Sequence, residues 1–403
     1  MGAGIRWMAR RMARVARVII GPFIGASFAV VVLCTSVFGN YIVTLFLPMI
    51  TIANRHRRYR ELMDRAITFW MVIPLYFLHY VYRVKVRASG DRILHDAPAI
   101  IIMNHRTRLD WFYFWSALWR INPWLMTTNK IALKQLLRHI PGAGFGMQGM
   151  HYVFLKRDLE TDVKRLSEAV DYYSAMGQPY QLLMFPEGTD KTEYTTRRSA
   201  EYARKNGLVP MKNVLYPRTS GFVRLIQEMK KRNYLSYIYD VTVAYPEDIV
   251  QNETDMIVKG NLSSTVHYDI RRIAADEIPT ESDESIHNWL LETWKQKDAK
   301  LERFYAQKLR HKRHFETSGE RNVWVHDSLL QRFAKIYGFW FWFLVASIWL
   351  YHIHFLLHVQ VGIVFLALNY LYIYGVYGGI DHLVYHRWVR WAKRETCANT
   401  SVI

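Results

Sequence analysis

Residues 18–54 carry no charged side chain and neither do residues 336–380, so uncharged stretches of 37 and 45 residues bracket the chain. A membrane-spanning helix needs only ~20 apolar residues, and each stretch exceeds that length. The net charge of +19 raises nucleic acid as a partner, because basic grooves capture phosphate backbones. The distribution of the charge argues against it. Arg6, Arg10, Arg11, Arg14 and Arg17 precede the first stretch, and Arg55, Arg57, Arg58, Arg60 and Arg65 come after it. Arg387, Arg390, Lys393 and Arg394 come after the second. Positive charge flanking apolar segments is how a chain meets anionic lipid on the cytoplasmic leaflet. Nucleic acid is set aside, and the bilayer takes its place.

The 18–54 run suits a tight hairpin broken at Gly39 and Asn40, or one long helix bending at Pro48. Arginines on both sides favour the hairpin, because both ends would then face the cytosol. Residues 66–82 are apolar but short, and fit either an interfacial helix or a helix in the core of the soluble domain. At the other end, His352, His354 and His358 mark a turn between helices at 336–351 and 359–378. No cysteine or carboxylate accompanies these histidines, so metal ligation is not expected there. The first apolar run is also far longer than a signal-peptide core, which makes it a retained anchor. Cys34 and Cys397 cannot build a disulfide framework. The organisation expected is an anchor at 1–82 formed by a hairpin plus an interfacial helix, an α/β domain at 83–335, a transmembrane hairpin at 336–380 and a basic cytosolic tail at 381–403.

Between the apolar ends, strands are expected at 82–88, 98–103, 151–156, 181–186, 237–246 and 265–273. Helices are expected over 109–119, 159–176, near 198–205, on to about 230, and over 283–308. This alternation predicts an α/β fold, a mixed sheet flanked by helices. In such sheets ligands bind where strands end and helices begin. The polar clusters fall there: NHRTRLD after 98–103, KRD after 151–155 and PEGTDKTE after 181–185.

His105 at a strand exit, with Asp110 in the first turn of the next helix, can form an oriented imidazole–carboxylate pair. The rival reading is a surface histidine beside a helix N-terminal acid. Gly188 permits a tight turn in FPEGT, and Glu187 could accept a hydrogen bond from a substrate hydroxyl. Lys156, Arg157, Lys191, Arg197, Arg198 and Arg218 supply positive charge nearby in sequence.

NHRTRLD resembles the NHxxxxD box, and FPEGTD the FPEGT box, of the glycerolipid acyltransferases that act on lysophosphatidic acid and other lysophospholipids. FLKRD resembles that family's second box, with Arg157 at its phosphate-contacting position, and LYPRTSGF its fourth, with Pro217 and Gly221 in place. RTRLD, PEGTD, YPRT and VTVAYP most resemble the lysocardiolipin acyltransferases and their lysophosphatidylinositol-using relatives. The resemblance implies His105 as general base and Asp110 as its partner, with Glu187 and Gly188 shaping a glycerol-side pocket. The resemblance adds Arg157 and Thr189 to the substrate-binding set, and the positive charge nearby in sequence adds Lys191, Arg198 and Arg218. It further implies acyl-CoA as co-substrate, a lysophospholipid acceptor, no metal and no tightly bound cofactor. No obligate protein partner can be inferred, and the expected location is the endoplasmic reticulum with the site facing the cytosol. One departure stands out: Asp190 occupies the position where small lysophosphatidic acid acyltransferases usually carry arginine.

Two rivals remain. A serine hydrolase would need a nucleophile elbow, and no G-x-S-x-G occurs. An inactive scaffold or a transporter of the same fold is the other. GAGFG at 142–146 reads as a flexible bend near the site, and the 283–308 helix as an ordinary solvated face.

Overall fold

The computed structural model describes residues 2–315, 322–352 and 357–400. Helix α1 (Gly2–Thr44) leads through a short turn to α2 (His56–Tyr76). The α/β body then runs β1 (Lys85–Gly90), β2 (Ala99–Met103), α3 (Asp110–Ile121), β3 (Asn129–Lys134), α4 (Ala143–Gly149) and β4 (Val153–Leu155). It continues through α5 (Leu159–Met176), β5 (Gln181–Met184), α6 (Glu193–Lys205), α7 (Thr219–Lys231), β6 (Tyr237–Ala244), α8 (Glu253–Lys259), β7 (Thr265–Ala274) and α9 (Asp283–Ala306). Strand β8 (Asn322–Trp324) precedes the C-terminal helices α10 (Leu329–His352), α11 (Leu357–Tyr372) and α12 (Ile380–Thr400).

The strands form one mixed sheet in the order β4-β3-β5-β2-β6-β7-β1-β8. From β4 to β6 every neighbour pair is parallel, whereas β7 runs antiparallel to β6. Strand β2 lies at the centre, and all five of its residues are fully buried. A continuous apolar run suits a strand covered on both faces. Local signals set the helix ends: the Asp158 side chain caps α5 by accepting from Thr161 N at 3.0 Å, and Gly177 closes it at φ 68°.

Among the described residues, three segments are long and apolar enough to cross a membrane: Ile19–Thr51, Leu329–His352 and Gln360–Tyr377. The N-terminal one is not the hairpin that its flanking charges suggest. Helix α1 continues unbroken through Gly39 and Asn40, and the first break comes at Leu45–Leu47, just before Pro48. Neighbours hold the weak point straight, since Asn40 Nδ2 donates to Gly142 O at 3.2 Å and Trp70 lies against Gly39. Farther up α1, a Cβ at Gly21 or Gly25 would run into the backbone carbonyls of Lys259 and Ile257, so α1 and α8 touch main chain to main chain.

The interfacial reading of 66–82 also gives way. Met71, Val72, Ile73, Leu75, Phe77 and Leu78 are buried, making this a core helix. Arg60 does not face lipid headgroups. It is fully buried, with Nη2 on Asp64 Oδ1 at 2.7 Å, and Lys130 Nζ reaches the same oxygen at 2.7 Å. GAGFG is mostly the helix α4, packed on α1, and not a flexible bend. The basic tail is the helix α12, which buries Ile380, Leu383 and Val384 and ties Asp381 to Arg138 at 2.7 Å. The expected turn at His352–His358 includes His354, which lies outside the described residues. Among the described residues, no group of three or more histidine, cysteine or acidic side chains is arranged to hold a metal.

Candidate active site

Strands β5, β2 and β6 are parallel neighbours, so the loops that leave their C-terminal ends rise side by side. Those loops carry His105, the 185–191 turn and Tyr245–Gln251. Asn104 joins two of them. Its Nδ2 donates to Val243 O at 3.1 Å, and Val243 N donates back to its Oδ1 at 2.8 Å. The amide side chain thereby continues the β2–β6 ladder one step past its end.

His105 comes next, and its Nδ1 lies 2.9 Å from Asp110 Oδ2. The Asp110 carboxylate is fully buried at the start of α3, where the positive end of the helix dipole favours an anion. Oδ2 also accepts from Arg106 N at 2.6 Å and Thr107 N at 2.9 Å. Oδ1 accepts from Thr107 Oγ1 at 3.1 Å and from the Tyr245 hydroxyl. Burial, reinforced by the neighbouring Asp110 charge, pushes the Tyr245 phenol well above its ordinary value, so it remains a donor. With donors on every side, the carboxylate requires Nδ1 of His105 to carry the proton. In the neutral ring that leaves a lone pair on Nε2, which makes no hydrogen bond to any described residue. The imidazole is 16% exposed and stacks on Phe185, with ring centroids 4.2 Å apart.

The FPEGTDK turn grips the same residue. His105 N donates to Glu187 Oε1 at 3.3 Å, and Lys191 N donates to His105 O at 2.8 Å. Gly188 adopts φ 72°, a conformation that side chains resist, and a Cβ there would crowd Arg218 Cδ at 3.3 Å. Glu187 is only 3% exposed, and its Oε1 accepts a second bond from Trp294 Nε1 at 3.3 Å. Burial pushes its carboxyl up to about 8, against the pull of the His105 and Leu215 N–H groups and the Trp294 indole.

The other expected residues divide. Arg157 is exposed and donates from Nη2 to Gly188 O at 2.9 Å, and the exposed Arg218 anchors its N–H on Pro186 O at 2.7 Å. These two cations therefore flank Gly188, with Thr189 half-buried beside it. Lys191 turns its Nζ toward Thr196 Oγ1 at 2.9 Å. Burial lowers its ammonium, and Arg106 adds to the effect. Arg198 is not brought in. It lies exposed on α6 over the Tyr194 ring. Asp190 is 8% exposed and accepts from Gln251 Nε2 at 2.8 Å, which ties the 185–191 turn to the loop after β6.

Sequence reasoning missed Tyr245, Gln251 and Trp294. Tyr245 sits in VTVAYP, which carried a resemblance but no assigned role. Trp294 belongs to the helix read as a solvated face, and that reading is corrected. Trp294 is fully buried, and Lys297 places its Nζ 2.5 Å from Asp240 Oδ1 and 2.6 Å from Val241 O. A buried ammonium is tolerated here because a carboxylate and a carbonyl receive it.

Residues 85–246 match the Acyltransferase family model, and residues 256–332 match the Acyltransferase C-terminus model. The chain is 43% identical to lysophosphatidylinositol acyltransferase 10 of Caenorhabditis elegans, covering 92% of this chain and 95% of that one. It is 37% identical to lysocardiolipin acyltransferase 1 of Gallus gallus, over 70% of this chain and 73% of that one. The crystal structure of the 1-acyl-sn-glycerophosphate acyltransferase from Thermotoga maritima aligns with 71% of this chain and 98% of that one, at 18% identity and a TM-score of 0.42. The paired His105 and Asp110, the matched family regions and the apolar helices together establish an integral-membrane, acyl-CoA-dependent acyltransferase that belongs to the glycerolipid acyltransferase family.

Proposed function

We propose that the chain moves a fatty acyl group from acyl-CoA to a free glycerol hydroxyl of a lysophospholipid, with lysophosphatidylinositol as the preferred acceptor. The observation that carries the chemistry is the His105 ring, fixed through Nδ1 with Nε2 open. Nε2 removes the hydroxyl proton as that oxygen bonds to the thioester carbonyl carbon. The tetrahedral adduct then expels the CoA thiolate as the carbon–sulfur bond breaks, and the imidazolium returns the proton to sulfur. Asp110 stabilises the imidazolium without taking its proton. Arg157 and Arg218, beside Gly188, attract the acceptor's phosphate. Thr189 and Lys191 belong to the same turn, whereas Arg198 lies exposed on α6 over the Tyr194 ring.

The likeness to the nematode lysophosphatidylinositol acyltransferase supports the head group, and the lysocardiolipin acyltransferases make monolysocardiolipin the next candidate. Basic residues beside the apolar segments support a catalytic unit, about 83–335, on the cytosolic side, and the proposed membrane is that of the endoplasmic reticulum. The test offers the purified full chain oleoyl-CoA with lysophosphatidylinositol, monolysocardiolipin, lysophosphatidylglycerol or lysophosphatidic acid in separate reactions. Lysophosphatidylinositol should give the highest initial rate. A higher rate on lysophosphatidic acid would overturn the head-group assignment.

A further inference from the structure

Asp110 orients the imidazole of His105, but other residues hold its main chain. Residues 187–191 grip the His105 peptide from both sides, with Glu187 accepting from its N–H and the Lys191 N–H donating to its carbonyl. The Glu187 oxygen that receives His105 N–H also receives the indole N–H of Trp294. Trp294 is in turn fixed by its place on α9, where Lys297, three residues on, is locked to Asp240 of β6. A continuous path of contacts thus runs from the sheet through α9 and Glu187 to the His105 main chain. Its central residue is closed to a lipid, since Glu187 is 3% exposed.

We propose that Glu187 is a positioning residue, seated by Trp294, that holds the His105 backbone in register and makes no contact with the lysolipid. The proposal rests on the reading of His105 as the base. It departs from the expectation that Glu187 binds a substrate hydroxyl. The strap requires only an acceptor at Oε1. Burial favours the uncharged acid at neutral pH, so glutamine reproduces both the shape and the accepting oxygen. A carboxylate that binds substrate would instead need its charge and an open face.

Full-length His105→Ala, Glu187→Gln, Glu187→Ala and Trp294→Phe variants, assayed with oleoyl-CoA and lysophosphatidylinositol, distinguish these roles through kcat and KM. Glu187→Gln should keep kcat within about threefold of the parent, with the lysolipid KM unchanged. Glu187→Ala should lower kcat by roughly 10–100-fold at unchanged KM, because small displacements of a reacting group are costly. Trp294→Phe should fall between the two. A rise in lysolipid KM for Glu187→Gln, or an unchanged kcat for Trp294→Phe, would overturn the proposal. The second result remains decisive if Glu187→Ala does not fold. An active His105→Ala variant would instead sink the reading of the base and leave the contacts of Glu187 untouched.

Discussion

Asp110 and Asp64 are both buried acids surrounded by donors, and they lie in different parts of the molecule. Asp64 is sealed in. Arg60 and Lys130 reach Oδ1 at 2.7 Å, the Tyr180 hydroxyl reaches Oδ2 at 2.8 Å, and neither cation has any exposed side chain. Asp110 is ringed as completely, but one of its donors is an imidazole with a second nitrogen. Nδ1 of His105 faces the acid, while Nε2 has no partner among the described residues and belongs to a ring that is 16% exposed. Burial and hydrogen bonding alone therefore do not mark a catalytic acid. The open partner does.

The largest effect expected of that contrast is on rate. Asp110→Asn should lower kcat by roughly 10²–10⁴-fold, because the amide cannot accept from every donor around it and no longer fixes the ring's tautomer. The acyl-CoA KM should stay near the parent value, and steady-state kinetics on the purified variant check both. Asp64→Ala should act on stability instead. Leaving Arg60 and Lys130 buried without their acid costs about 3–5 kcal/mol, and thermal unfolding should show it. The folded fraction should keep its kcat, and a normal melting curve with low kcat would break the comparison.

For Glu187 the expected effect is on the pH dependence of stability. Its carboxyl rises from 4.5 to about 8 in the fold, so between these values the folded protein holds a proton that the unfolded chain releases. Its contribution to stability is then lost as pH rises through that window, by at most about 1.4 kcal/mol per pH unit. Glu187→Gln removes this slope, so its melting temperature relative to the parent should be higher at pH 8 than at pH 5. The smallest effects separate two surface arginines. Arg157→Ala should raise the lysolipid KM several-fold, while Arg198→Ala should leave kcat and KM unchanged. Equal effects from the two would remove the distinction drawn from their positions.

Much of this arrangement could be read from residue order. The apolar PAIIIM run announces a central strand, and polar clusters at three strand exits announce an edge where chemistry collects. His105, Asp110 and the FPEGT turn were visible for that reason. The residues that escaped depend on distant partners. Lys130 conceals strand β3, because a lysine argues against a buried strand until Asp64, 66 residues away, is known to receive it. Lys297 and Trp294 disguise α9 in the same way, since the charges on that helix read as solvated until Asp240 and Glu187 are placed beside it. The hairpin expected at Gly39 failed because Gly142 and Trp70 support α1 from outside its own sequence.

That His105 supplies the base through an open Nε2 is tested most directly by CoA release. The measurement is the initial rate from oleoyl-CoA and lysophosphatidylinositol with purified His105→Ala, beside a parent sample of equal melting temperature. The rate should fall to the enzyme-free background. A well-folded His105→Ala sample that releases CoA at the parent's rate would contradict the assignment of the base.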